Sequence, residues 1–474
     1  MRAESESTAN RIYALAFGLF LGLCLWKFGN PVILDHKIDP PATPAEFWAG
    51  AWPTHWAGWI FLPFAIAGAF LIFRNKSRWP AIKWLWLLPL LWVGWQFLSA
   101  VKSVDSDLAA ATLWQFAGCA TAYFLGAFLL GTPRALNLLL IGILAAFAFC
   151  LVRAIDQRLV EFPQNQQMLV DGERTGWTNI PPQMLSEMKH DGVVITTNSV
   201  DIANPVVLAK FTKGRVMGTL VYPNALAGAI LLLLPVSLAL AFGAKKLRPA
   251  IRALAIALTI FLGGAGLFWS GSKLGWLIAM GIGGLYLLRL NWPRKLKFAA
   301  VTLVAVLGLG IFAVRFHNYF SAGATSVGAR FDYWRAAVQT TGQNPLIGTG
   351  PGSFQRPYAK IRDELAAKYP QKELPEMARL THNDYLEQFS DSGIPGGIFY
   401  ATWIILTLAA IGRRVWKTGN QIRFAIYAGA LGWFIQGVGE FGLYIPALAW
   451  TAFTLLGCAL ASARNQFDKN RPAG

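Results

Sequence analysis

Apolar residues in this chain run in long blocks, separated by short polar links and by two extended polar stretches. A membrane-crossing helix needs roughly 17 to 25 mostly apolar residues. That requirement predicts about twelve spans: residues 12–29, 56–73, 81–100, 108–130, 135–153, 216–243, 252–270, 273–289, 297–316, 393–412, 421–439 and 443–463. The block 273–289 is the shortest and is rich in glycine. The first block carries no Ala-x-Ala cleavage pattern and is followed by many others, so it is expected to stay as a helix and not to be removed as a signal peptide.

Composition agrees with a membrane solvent. Of 474 residues, 55% are hydrophobic and only 14% charged, which places the chain among integral membrane proteins. The formal charge of +18 is what basic cytoplasmic links produce, and it does not imply a nucleic-acid partner. With the N-terminus inside, every second link is cytoplasmic. Those links hold Arg74, Lys76 and Arg78; Arg134; Lys245, Lys246 and Arg248; Arg294, Lys295 and Lys297; and Arg413, Arg414 and Lys417, as the positive-inside rule requires. Both termini are then cytoplasmic, and the long stretches 154–215 and 317–392 face the other side. Cys24, Cys119, Cys150 and Cys458 all lie in apolar blocks without metal-site spacing and read as core. Many of the 20 tryptophans, such as Trp48, Trp52, Trp56, Trp59, Trp79, Trp84 and Trp86, sit near predicted boundaries, where they form interfacial belts.

The resulting organisation is an all-α polytopic membrane protein in five parts: N-terminal spans 1–153, a long loop 154–215, spans 216–316, a helical loop subdomain 317–392, and final spans with a tail, 393–474. The short basic link between the sixth and seventh spans argues against a major-facilitator transporter. No charge falls mid-span, which leaves no ion relay for a pump. Chemistry is therefore sought where polar residues gather on the non-cytoplasmic face.

Within 317–392 the pattern predicts helices near 326–340, 356–369 and 382–391, with a Gly/Pro stretch at 344–354. Arg330 and Trp334 share a helix face; the guanidinium could grip a phosphate in two-point fashion or stack on Trp334 for packing. The glycines of 344–354 would expose backbone N–H groups to an anion or simply form a tight turn. Thr381-His382-Asn383-Asp384 has the form of a capping box, with Thr381 as N-cap and His382 in the first helical turn, where the helix dipole favours a neutral imidazole. The plain alternative is a histidine that starts a helix. Arg215, followed by Gly218 and Asn224, opens the sixth span, and Ser270-Gly271-Ser272-Lys273 places a cation on the face where the positive-inside trend disfavours one. An interfacial anchor that snorkels is the bland reading of Arg215. No third ligand accompanies His382 and Asp384, so no metal or cofactor is expected. Arg215, Lys273, Arg330 and His382 thus converge at head-group depth, where cations could neutralise a departing lipid diphosphate and a neutral histidine could deprotonate an attacking hydroxyl.

The order of these pieces resembles the O-antigen ligase and polymerase superfamily of bacterial envelope glycosyltransferases. The resemblance rests on Arg215-Val216-Met217-Gly218 with Pro223-Asn224-Ala225-Leu226-Ala227; on Ser270-Gly271-Ser272-Lys273; on Arg330 with Trp334, Pro345, Gly348 and Gly350; and on His382-Asn383-Asp384-Tyr385-Leu386 with Gly393 and Gly396. It implies a GT-C-like fold of about twelve helices with the active site in a large periplasmic loop of the inner membrane. It also implies an undecaprenyl-diphosphate-linked glycan donor, Arg215 and Arg330 binding the diphosphate, and His382 activating an acceptor hydroxyl for inverting, metal-independent transfer. Lys273, Ser272, Asn224, Trp334, Asn383 and Tyr385 are then the expected substrate-binding residues. Lys273 departs from the arginine many relatives carry, keeping the charge without the fork. A lipid A core acceptor makes the chain an O-antigen ligase, the reading taken here; a growing repeat unit or a protein hydroxyl makes it a polymerase or protein O-glycosyltransferase. A lipid-linked oligosaccharide transporter and an assembly scaffold are the rivals from other classes.

Overall fold

The computed structural model describes residues 7–75, 84–368 and 377–462. Lys76, Arg78 and Trp79, and the tail from residue 463, lie outside the described residues. The frame is helical. It opens with α1 (Thr8–Lys27), the short α2 (Pro44–Ala49), α3 (Thr54–Arg74), α4 (Trp84–Val101), α5 (Ser106–Leu125) and α6 (Pro133–Asp156). After α6 the chain stays helical through one wide turn into α7 (Phe162–Arg174). The predicted span end at 153 is therefore not a helix end: residues 133–174 form one long helix, because the polar residues after Val152 remain good helix formers where the apolar run stops.

The 154–215 stretch is itself folded. It carries α7, α8 (Pro182–His190), an antiparallel hairpin of β1 (Val194–Thr197) and β2 (Val200–Ala203), and α9 (Pro205–Lys213). Leu169, Trp177, Met188, Val194 and Ala203 close a small core of their own. The hairpin is a local addition to an otherwise all-α frame.

Next come α10 (Pro223–Gly243), α11 (Pro249–Ser270), α12 (Lys273–Arg289), α13 (Arg294–Ser321), α14 (Thr325–Gln343), α15 (Gln355–Lys368), α16 (Asp384–Val415), α17 (Gln421–Gln436) and α18 (Pro446–Ser462). Among the described residues nine helical runs are long and apolar enough to cross a membrane, and the chain is a multi-pass membrane protein. The other three predicted spans, now α12, α17 and α18, are helices of 17, 16 and 17 residues.

Two packing devices set the frame. Gly18 and Gly22 on α1 face Gly142 on α6, where a Cβ on Gly18 would come within 2.2 Å of the Leu139 carbonyl oxygen; small residues at this spacing let helices approach closely where lipid supplies no hydrophobic drive. Around Trp92, Tyr123, Tyr400 and Trp403, all fully buried, aromatic edges and faces knit α4, α5 and α16 together. By contrast α13 buries none of its apolar window and packs chiefly on α12.

The Gly/Pro stretch 344–354 is a docking turn. Gly348 and Gly350 take positive φ, 65° and 105°, and the Gly350 and Gly352 N–H groups donate to the carbonyl and carboxylate of Asp391 at 2.8 and 2.6 Å. Those N–H groups are thus spent on α16, so of the two expectations for this stretch the tight turn is the one found. Helix α16 breaks at Ser392–Gly393, and the Ile394 N–H donates to the Pro345 carbonyl at 2.8 Å, so the turn seats in the break.

Candidate functional site

One carboxylate organises the polar end of the bundle. Glu440 lies in the link between α17 and α18, 6% exposed. Its Oε1 accepts from Arg330 Nη2 at 2.5 Å and from Asn224 Nδ2 at 2.7 Å. Asn224 in turn accepts from Arg215 Nη2 at 3.0 Å. His382 Nδ1 stands 3.6 Å from Glu440 Oε2. Residues 215, 224, 330, 382 and 440, distant in sequence, thus meet around one side chain.

Local folding places each of them. Arg215 follows α9, which ends at the left-handed Gly214, in a turn pinned from below by Gln157: its Oε1 accepts from the N–H of Met217 and Gly218, and its Nε2 donates to the Gly218 carbonyl at 3.0 Å. The predicted span start at 216 therefore lies before the helix, which begins only at Pro223, a proline at the first helical position, where a missing N–H costs nothing. Arg215 Nε donates to the Ser270 carbonyl at 2.7 Å, tying this turn to the end of α11. Burial lowers the Arg215 guanidinium below the usual arginine range, Glu440 pulling it up and Arg330 pushing it further down.

The capping box predicted at Thr381 is not the one formed. Asn383 is the N-cap, its Oδ1 accepting from the N–H of Tyr385 and Leu386 at 3.1 and 3.0 Å, and Thr381 instead accepts from the Asn383 N–H. His382 accordingly stands one residue before the helix cap and outside its first turn, with φ of 53°, a left-handed conformation uncommon outside glycine and several-fold more frequent for histidine. The physical reason lies below: Glu387 accepts from both the Thr381 N–H and hydroxyl at 3.0 Å, which draws Thr381 inward and turns the next residue out. Tyr333 stacks on the imidazole at 6.1 Å and Phe441 meets it edge-on at 4.8 Å. The Asp384 N–H donates to the carbonyls of Gly437 and Glu440 at 2.7 and 3.2 Å, which ties the start of α16 to the link carrying Glu440.

The remaining predicted residues separate into two groups. Asn224 is in the Glu440 cluster. Ser272 caps α12, accepting from the Gly275 N–H at 3.3 Å; Asn383 caps α16; Tyr385 donates to the Phe434 carbonyl at 3.1 Å. Trp334 packs edge-on against Phe331 while the Arg330 guanidinium pairs with Glu440, a partner that neither sequence reading of Arg330 named. Lys273 sits apart, its Nζ 3.6 Å from the centre of the Tyr319 ring. A cavity of about 130 Å³ lies beside the cluster, lined by Arg215, Asn224, His382, Gln436 and Glu440 among others.

Sequence reasoning missed Glu440. Its signal was present: it is the one acidic residue between 421 and 462, set at the end of an apolar run. Gln157 was missed because the polar extension of α6 reads as an anonymous solvent-facing stretch.

Residues 257–401 match the O-antigen ligase family model, in agreement with the resemblance carried by the sequence motifs. The match takes in Lys273, Arg330, Trp334, His382, Asn383 and Tyr385, while Arg215, Asn224 and Glu440 lie outside it. No curated protein sequence matches the chain.

Proposed function

We propose that this protein is an O-antigen ligase-like glycosyltransferase that moves a glycan from undecaprenyl diphosphate to an acceptor hydroxyl, the lipid A core, at the periplasmic face of the inner membrane. The acceptor oxygen attacks the anomeric carbon as the bond from that carbon to the diphosphate oxygen breaks, inverting the centre. The hydroxyl proton passes to His382, and the electron pair leaves with the diphosphate. Arg215, which lines the cavity, and Arg330, which pairs with the cavity-lining Glu440, stabilise the charge that grows on the leaving group. With its Nδ1–H directed at Glu440, the imidazole keeps Nε2 as proton acceptor; carboxylate-oriented histidine bases work this way. A separation of 3.6 Å is longer than a formed hydrogen bond, as is common before substrate binds.

The observation that carries this reading is the single carboxylate, on the wall of a cavity, around which two arginines and a histidine from three separate chain segments gather. Purified protein supplied with a polyprenyl-diphosphate glycan and a lipid A core acceptor tests it: coupled product that requires both Arg215 and His382 supports transfer, and absence of product with every hydroxyl acceptor removes it. The same assay with repeat-unit or protein acceptors separates ligase from polymerase or protein O-glycosyltransferase.

A further inference from the structure

A second set of cations lies beside the Glu440 cluster, on the lipid-facing side. The turn from Phe268 to Lys273 is its spine. Arg315 of α13 stacks its guanidinium 4.9 Å over the Phe268 ring and 5.5 Å over Phe316. Arg215 bonds the Ser270 carbonyl. Lys273 rests on Tyr319 and, at 5.3 Å, on Phe316, within electrostatic reach of Arg215, Arg330, Arg315 and Glu440. Among the described residues no carboxylate pairs with Lys273 or Arg315; both lie on aromatic rings, which hold a cation while leaving its N–H donors open. Arg215, Arg330 and Lys273 therefore share Glu440 as a neighbouring carboxylate, and Arg315 adds a fourth cation beside Lys273.

Their depth is informative. Helix α13 starts at the basic Arg294, and Arg315 stands 315 − 294 = 21 residues further on, so it lies roughly 30 Å up the helix at about 1.5 Å per residue, which is the thickness of a hydrocarbon core. Arg315 is exposed on a helix that buries none of its apolar window. It thus meets the head-group layer directly from the lipid side, and the half-buried Lys273 shares the Phe316 ring with it.

We propose that Arg315 and Lys273 form a capture site for the phosphate head group of a polyprenyl lipid, received laterally from the membrane past α13 and handed to Arg215 and Arg330. The proposal rests on the function proposed above for the identity of the lipid, and on the arrangement of unpaired cations for the site itself. A guanidinium that only anchored α13 at the interface would snorkel to water and contribute nothing to lipid affinity.

The test is binding, which does not depend on turnover. Purified full-length protein in detergent is titrated with undecaprenyl diphosphate, and with the corresponding polyprenyl alcohol as a head-group-free control, while thermal unfolding is followed in parallel. Arg315→Gln and Lys273→Gln should each weaken diphosphate binding about tenfold, the scale of one lost charged hydrogen bond, with alcohol binding and the unfolding midpoint unchanged, and Arg315→Lys should recover most of the loss. Diphosphate affinity unchanged in Arg315→Gln overturns the proposal, as does a loss that appears equally with the alcohol or only together with a lowered unfolding midpoint. If wild-type protein binds the diphosphate through Arg315 but transfers no glycan to any acceptor, the glycosyltransferase reading falls while the capture site stands.

Discussion

The Arg330 guanidinium lies 2.5 Å from the Glu440 carboxylate although 110 residues separate them, and this pair joins the loop subdomain to the last helical link. The pair is largely buried, with side-chain exposures of 20% and 8%. Removing one partner of such a pair strands a charge in low dielectric, which costs about 3–5 kcal/mol. Glu440→Gln keeps the shape and the Asn224 bond but removes the counter-charge. Transfer should fall by roughly 10²-fold or more, the scale for one pre-organised electrostatic group, measured as kcat with saturating donor.

His382→Ala should lower transfer by about 10²–10⁴-fold, the usual contribution of a positioned base, without altering donor affinity. The imidazole makes ring contacts with Tyr333 and Phe441, so His382→Gln serves as the better-packed variant. Equal loss of donor binding in both would point to a packing role.

Asn383→Ala removes the cap that fixes where α16 begins and so where His382 points. The expected cost is about 1 kcal/mol of stability, read by thermal unfolding, together with a fall in kcat. Asn383→Ser, which keeps a capping oxygen, should restore most of both.

Gly348→Ala tests the docking turn. The position has φ of 65°, and a Cβ there would lie 2.4 Å from the Asp391 carbonyl group. The left-handed conformation alone costs a non-glycine residue about 1–3 kcal/mol, so the unfolding midpoint should drop and transfer with it. Gly342→Ala is the control, because a Cβ there meets nothing within 4 Å.

Much of this arrangement was legible in the sequence because lipid imposes simple rules. Apolar blocks of sufficient length announced the helices, and every predicted block falls on one. The Ser270–Lys273 turn was singled out because its cation lies where the topology disfavours one, whereas the Arg215–Asn224 bond is seen only in the fold. The rest depended on tertiary contacts. Thr381 has all the local features of a helix cap, yet Glu387, one turn into the helix, takes its hydroxyl, and the cap moves to Asn383. The glycines of 344–354 fit an anion nest as well as a turn until Asp391 is seen to occupy their N–H groups. Glu440 has no motif at all; only the fold shows that two arginines, an amide and a histidine converge on it. Arg315, inside the predicted span 297–316, was not singled out, because its significance depends on Phe268 from another helix.

The central claim is tested most directly by glycan transfer from a synthetic polyprenyl diphosphate donor, comparing wild type, Arg215→Ala, His382→Ala and Glu440→Gln across lipid A core, repeat-unit and protein acceptors, with and without EDTA. Product from the wild type that survives EDTA and falls sharply in all three variants is the predicted result, and the acceptor consumed names the subclass. Undiminished transfer by His382→Ala, or tight donor binding by the wild type with no turnover on any acceptor, would contradict it.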